Sequence, residues 1–113
     1  MINKVTFNSN YKIFDKEIVR EIIDIYLQEY PERMEKLTKN IKEKDLDNLL
    51  KNAHSMKGVT ANFFDKETEE LARQLEIKAK DKDTEDLDLI FEKLITNSLK
   101  LVEELKKLRK EYE

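Results

Sequence analysis

The chain has 113 residues, of which 42% are charged and 39% hydrophobic, and its net charge is −3. This length is typical of one domain, and the absence of cysteine excludes disulfides and thiolate metal sites. Mixed-sign charge indicates no nucleic-acid partner, and the lack of a long apolar run or a signal-peptide pattern predicts no membrane insertion and a cytoplasmic location. One glycine, one proline and abundant Leu, Ile, Lys and Glu favour an all-α fold.

The first half of the sequence predicts a short lead-in and two helices separated at a proline. Residues 1–14 are weakly patterned, and Asp15 is a plausible N-cap for a first helix from Lys16 to Tyr30. Pro31 suits the first turn of a helix but not its interior, so we predict a break there. The first helix is expected to bury a stripe of apolar residues that recur at helical spacing, Ile18, Ile22, Ile25 and Tyr26, widened by Val19 and Ile23. The second is expected to bury Met34, Leu37 and Ile41.

The second half predicts three further helices joined by polar turns. The third covers about residues 45–63, and Asp65 is the predicted N-cap of the fourth, which fades in the charged turn at residues 78–83. The last helix runs over about residues 84–112, and its leucines repeat every seven residues, at positions 87, 94, 101 and 108. We therefore expect residues 1–113 to form a single antiparallel, up-and-down four-helix bundle with a short N-terminal lead-in.

The only histidine and the only glycine lie four residues apart, in the segment AHSMKG of the third predicted helix. At 100° per residue, the apolar residues of this helix share one face, and His54 lies about 120° from the centre of that face. We therefore expect its imidazole to contact solvent. Gly58 lies one turn further along and removes a side chain beside the ring, although glycine costs a helix about 1 kcal/mol relative to alanine.

An exposed imidazole beside a bare patch is accessible to a bulky electrophile, and neutral imidazole is a good nucleophile near pH 7. The ammonium groups of Lys51 and Lys57 could stabilise the oxygens of a transferring phosphoryl group, the case for Lys51 resting on its helical angle alone. A chain with one glycine cannot form a Gly-rich phosphate loop, so a partner would have to supply the rest of the machinery. By spacing alone, a merely solvated histidine is the commoner explanation, and the function stays open.

Residues 53–76, AHSMKGVTANFFDKETEELARQLE, resemble the signature of histidine-containing phosphotransfer (HPt) domains, which runs approximately A-H-x-L-K-G-S-S-x-x-L-G-A before an amphipathic helix. The similarity covers about residues 15–80 and includes the proline that opens the family's second helix. The resemblance implies that His54 is phosphorylated on Nε2, that Lys57 lies beside the phosphoryl group and that Gly58 leaves space for the partner.

The resemblance also bears on residues further along the chain. Thr60 stands at a family serine position and is expected to support the helix or to hydrogen-bond locally, and Glu76 lies where some members place a polar residue that orients the imidazole. Phe64 and Asp65 replace the family's usual Gly-Ala, so that Phe64 would reshape the docking surface or fill the bundle end. Val59 replaces a small residue beside Gly58.

These observations favour a phosphotransfer intermediate of a multistep His-Asp phosphorelay in two-component signal transduction. The resemblance implies that a receiver aspartyl phosphate donates to His54 and that a second receiver accepts the group, with response-regulator receivers or a hybrid sensor histidine kinase as partners. Mg²⁺ is expected on the receiver, and this chain is expected to hold no cofactor, metal or ATP and to be no enzyme by itself.

Two alternatives stay open. The first is the phosphoacceptor domain of a chemotaxis-type histidine kinase, which would receive the phosphoryl group from an ATP-bound kinase domain. The second is a non-phosphorylated helical interaction module, which the leucine heptads support unless that seam packs inside the bundle.

Overall fold

The computed structural model describes all 113 residues and consists of five helices with no strand. The helices are α1 (Lys4–Tyr11), α2 (Lys16–Glu43), α3 (Leu46–Ala61), α4 (Lys66–Lys80) and α5 (Leu87–Lys110). The all-α prediction is confirmed, and the lead-in contains the short helix α1. No helix combines the length and the apolar character that crossing a bilayer requires.

The predicted break at Pro31 is wrong, because α2 continues through the proline from Lys16 to Glu43. Proline has no N–H to donate to the carbonyl of Leu27 and crowds the preceding turn, which weakens the helix at this point. Pro31 is itself exposed, whereas Tyr30 and Leu37 on either side of it are buried. Burial of one continuous apolar face offsets the missing hydrogen bond and keeps the two predicted helices as one.

The face that α2 buries is narrower than the predicted stripe. Val19, Ile23 and Tyr26 are buried, whereas Ile18 and Ile25 are exposed. Both sets recur at helical spacing, so periodicity shows that a face exists without fixing which of two adjacent apolar stripes meets the other helices.

Aspartates begin two of the helices. The side chain of Asp45 accepts a hydrogen bond from the backbone N–H of Asn48 at 3.3 Å, and that of Asp65 accepts from the backbone N–H of Thr68 at 3.2 Å and from its hydroxyl at 2.6 Å. Such caps satisfy N–H groups that have no partner inside the helix. Asp15 occupies the N-cap position of α2 without a capping hydrogen bond from its side chain.

The turn between α3 and α4 carries the departure from the family pattern. α3 ends at Ala61, two residues earlier than predicted, and Phe63 is buried in the turn. Phe64 adopts a φ of 57°, in the left-handed region that suits the family's glycine. The strain is compensated locally, because the Phe64 side chain packs against the core and its carbonyl accepts a hydrogen bond from the backbone N–H of Asn3 at 3.1 Å.

The contacts between the long helices close a ring in which α2 packs on α3 and α5, and α4 packs on the same two helices. The heptad leucines of α5 all point into this core: Leu87, Leu94, Leu101 and Leu108. Ser98 interrupts their stripe, and its hydroxyl lies 2.6 Å from the hydroxyl of Tyr30 on α2. The leucine seam is therefore internal and does not form an exposed association surface.

Candidate phosphoacceptor site

The imidazole of His54 projects from α3 into solvent with 68% of its side chain exposed, as its helical position predicts. Its Nδ1 lies 2.9 Å from Oε1 of Glu76 on α4. A carboxylate can only accept a hydrogen bond, so Nδ1 carries the proton in this contact. In the neutral ring Nε2 then keeps its lone pair, and it makes no hydrogen bond with the protein.

Glu76 serves His54 and Lys57 together. Its second oxygen, Oε2, lies 2.8 Å from Nζ of Lys57, and both side chains are largely buried. Burial alone would raise the pKa of Glu76, but the contacts with Lys57 and His54 outweigh it and lower that pKa. The carboxylate is therefore ionised at neutral pH, and the ammonium group of Lys57 is engaged by Glu76 rather than standing free beside the ring.

Gly58 leaves open space one turn from His54. A Cβ atom built at this position would meet no atom within 4 Å, and the residue keeps ordinary helical φ. Neither backbone conformation nor packing inside this chain calls for glycine here. Phe64 does not fill the space, since it packs at the bundle end near Asn3 and Lys66.

The two remaining predicted residues lie in different surroundings. Lys51 is exposed one turn before His54 and forms no ion pair. Thr60 is fully buried under α3, where its hydroxyl faces that of Tyr26 on α2. The structure therefore gathers His54, Lys57 and Glu76 into one contact network and places Thr60 beneath the surface.

Sequence reasoning missed a polar groove between α2 and α3. Arg33 donates to the hydroxyl of Ser55 at 2.6 Å and to the carboxylate of Glu29 at 2.9 Å. These residues belong to a cavity of about 350 Å³, lined by Glu29, Glu32, Arg33, Lys36, Asn52 and Ser55. The spacing of Glu29 and Arg33 is a visible sequence signal for a pair within one helix, but the contact with Ser55 depends on how α2 and α3 pack.

An apolar strip continues this groove on the side of Gly58. We define the apolar strip as Ile18, Ile22, Ile25 and Val59. Ile25 is 48% exposed, and with Ile22 and Val59 it lines a second cavity of about 200 Å³ that shares Glu29 with the first. A contiguous apolar surface on a highly charged chain is typical of a protein contact site.

A protein-family model matches most of this chain. The Hpt domain model matches residues 21–111, which include His54, Lys57, Gly58 and Glu76. No curated protein and no solved structure matches the chain. Hpt domains are helical bundles that carry out histidine phosphotransfer in phosphorelays and interact with receiver and kinase domains. This chain, with its one exposed histidine on a bundle helix, belongs to the Hpt domain family.

Proposed function

We propose that this chain is the phosphotransfer intermediate of a multistep His-Asp phosphorelay, which accepts a phosphoryl group on Nε2 of His54 from a receiver aspartate and passes it to another receiver. One observation carries the proposal: Glu76 holds Nδ1 of an exposed imidazole, which leaves Nε2 unpaired beside the open space at Gly58. Family membership supports the chemistry, and the surrounding surface supports a protein as the donor.

In the accepting step, the lone pair on Nε2 attacks the phosphorus of the aspartyl phosphate. The N–P bond forms, the P–O bond to the aspartate breaks, and the aspartate leaves as a carboxylate. The ring gains positive charge while its proton stays on Nδ1, and the ionised Glu76 stabilises that charge. In the donating step the carboxylate of the second receiver's aspartate attacks the phosphorus, the P–O bond forms, the N–P bond breaks, and the electron pair returns to Nε2 of the neutral ring. Both steps need mainly positioning and cations.

The two lysines have different roles in this proposal. Lys57, paired with Glu76 at 2.8 Å, offsets the carboxylate so that an incoming phosphoryl group does not meet an uncompensated anion. Lys51 has no ion pair, and its long side chain can turn toward the phosphoryl oxygens from the next turn of α3. Thr60 supports α3 from below.

The rest of the machinery belongs to the partner in this proposal. We expect the receiver to bring Mg²⁺ and its own cations, and this chain to bind no nucleotide and to turn over no substrate alone. The exposed part of the apolar strip gives the receiver a docking surface next to Gly58. A modest, partly apolar interface suits an exchange in which each partner must leave after transfer.

The proposal treats residues 1–113 as one domain with α2 to α5 in antiparallel, up-and-down order. Paired residues support this order. Arg109 binds Asp24 at 2.6 Å while Ser98 lies 2.6 Å from Tyr30, so positions on α5 fall as positions on α2 rise. The six or fewer residues in each connection between these helices agree with it.

The test is incubation of the chain with a phosphorylated receiver, scoring label that is acid-labile and alkali-stable. We expect wild type to be labelled and His54→Gln to be unlabelled. Phosphoramidate, a small donor that needs no docking, checks the imidazole independently of partner choice. Equal labelling of both variants, or no labelling from either donor, would overturn the proposal. Labelling only by an ATP-bound chemotaxis-type kinase domain would instead assign the alternative function.

A further inference from the structure

Lys80 is the last residue of α4, and its exposed ammonium group has no ion-pair partner in the protein. Lys78, in the same helical turn, binds the carboxylate of Asp83 at 2.9 Å. A cation in the last turn of a helix interacts favourably with the helix dipole wherever that helix lies. Lys110 holds the same position at the end of α5 and is also exposed and unpaired. What distinguishes Lys80 is therefore its place in the bundle.

Lys80 lies on the face of α4 that meets the phosphoacceptor histidine. Glu76, which contacts Nδ1 of His54 at 2.9 Å, is four residues before it. Four residues turn a helix by about 40° and advance it by about 6 Å, so Glu76 and Lys80 share one face. The short connection at residues 62–65 makes α3 and α4 antiparallel neighbours. Lys80 therefore lies on the N-terminal side of His54 along α3, and Lys57 lies on the other side.

Phosphorylation of His54 places more negative charge at this point than its contacts neutralise. A phosphoryl group carries about two negative charges at neutral pH, and the carboxylate of Glu76 lies against the same ring. Lys57 is already bound to that carboxylate at 2.8 Å. Of the two basic residues one turn from Glu76 along α4, Arg73 is held by two hydrogen bonds to Glu70. Lys80, the other one, is free to bind an anion.

We propose that Lys80 is a further phosphoryl-binding residue, whose ammonium group turns toward the oxygens of the phosphoryl group on Nε2 of His54. The flexible four-carbon stem of lysine allows it to cover the helical turn that separates Lys80 from the ring. The inference rests on the proposed phosphotransfer and adds a cation from α4 to those that α3 supplies. Because the contact exists only while His54 is phosphorylated, Lys80 raises the affinity of the ring for the phosphoryl group.

The test measures how the phosphoryl group divides between the wild type and Lys80→Gln. Wild type labelled with ¹⁵N is phosphorylated with phosphoramidate, freed of that donor, and mixed with an equal amount of the unlabelled variant and a trace of a receiver that exchanges phosphoryl groups with His54. Mass spectrometry then reads the equilibrium division, which depends neither on docking nor on transfer rates. We expect the wild type to hold the group over Lys80→Gln by about two- to five-fold at low salt, the range of an exposed ion pair.

Lys110→Gln is the matched control, because it removes the same charge from the end of a helix, and it should share the phosphoryl group equally with the wild type. Lys80→Arg should hold the group as the wild type does, since a guanidinium also binds phosphate oxygens. Equal division between the wild type and Lys80→Gln would overturn the inference and leave the proposed function intact. A wild type that neither phosphoramidate nor a receiver phosphorylates would remove the proposed function, and this inference with it.

Discussion

Replacement of Gly58 should move stability and phosphotransfer in opposite directions. The residue lies inside α3 with ordinary helical φ, and an added Cβ would meet no atom within 4 Å. Gly58→Ala should therefore stabilise the fold by about 0.5–1 kcal/mol, the usual difference between these residues in a helix. With an unfolding entropy of about 2.1 cal/mol/K per residue, this chain should gain about 2 to 4 °C in Tm.

Longer side chains at the same position should block the partner without harming the helix. Glutamate and lysine are good helix formers, so Gly58→Glu and Gly58→Lys should keep the far-UV circular dichroism of the wild type. Each fills the open space beside His54, and a displacement of about 1 Å in a reacting pair can slow reaction about 100-fold. Gly58→Glu should be the slower of the two, since its charge also repels the phosphoryl group.

The assay is the initial rate of His54 labelling by a phosphorylated receiver, measured beside urea unfolding of each variant. Phosphoramidate is the control donor, because it reaches the ring without docking and should label Gly58→Ala and Gly58→Lys at rates similar to that of the wild type. If the receiver phosphorylates Gly58→Glu and Gly58→Lys as fast as the wild type, the partner does not need the open space at Gly58. A lower Tm for Gly58→Ala would show that α3 needs the glycine for packing.

Three other changes test the site and the fold. Glu76→Gln should lower the free energy of unfolding near pH 7. This deficit should shrink below about pH 4.5, because a carboxylate whose pKa is lowered in the folded state stabilises the fold above its unfolded pKa and loses that contribution as the pH falls through its folded pKa. Urea midpoints across this range measure the deficit, and a deficit that stays constant contradicts the prediction. Pro31→Ala should raise the free energy of unfolding, measured by urea unfolding, by up to about 3 kcal/mol. A lower free energy of unfolding would show that α2 depends on the proline. Ile25→Glu should slow transfer from a receiver. The control Leu99→Glu should not, because Leu99 is 50% exposed, like Ile25 at 48%, but lies on α5. Equal transfer rates for the two variants would show that the receiver does not dock on the apolar strip.

The parts of the fold that sequence predicts well are those set by local spacing. The face of α3 that holds Ala53 and Met56 is buried, and His54 lies outside it, because the helical repeat fixes both angles at once. The N-cap at Asp65 is likewise a local contact, made with a residue three positions away. The exposure of the imidazole could therefore be predicted without knowing how the helices pack.

Tertiary packing decided the rest. A proline in a helix interior is locally unfavourable, and only the burial of residues on both sides of Pro31 keeps α2 continuous. Glu76 lies 22 positions from His54, and its contact with Nδ1 exists because α4 packs on α3. Family resemblance pointed to this position, but no helical repeat relates residues on two different helices. The shared contact with Lys57 was not foreseen for the same reason.

Two sequence choices along the same side of the α2–α3 pair are not explained by the stability of the isolated bundle. Glycine at position 58 costs helical stability without meeting any packing need of this chain. Isoleucine at position 25 leaves nearly half of its apolar side chain in water, where a charged residue would be better solvated. Departures from local rules that no internal contact explains are expected at functional sites. A partner surface that needs clearance at Gly58 and apolar contact at Ile25 accounts for both with one cause, whereas stability of the lone bundle accounts for neither.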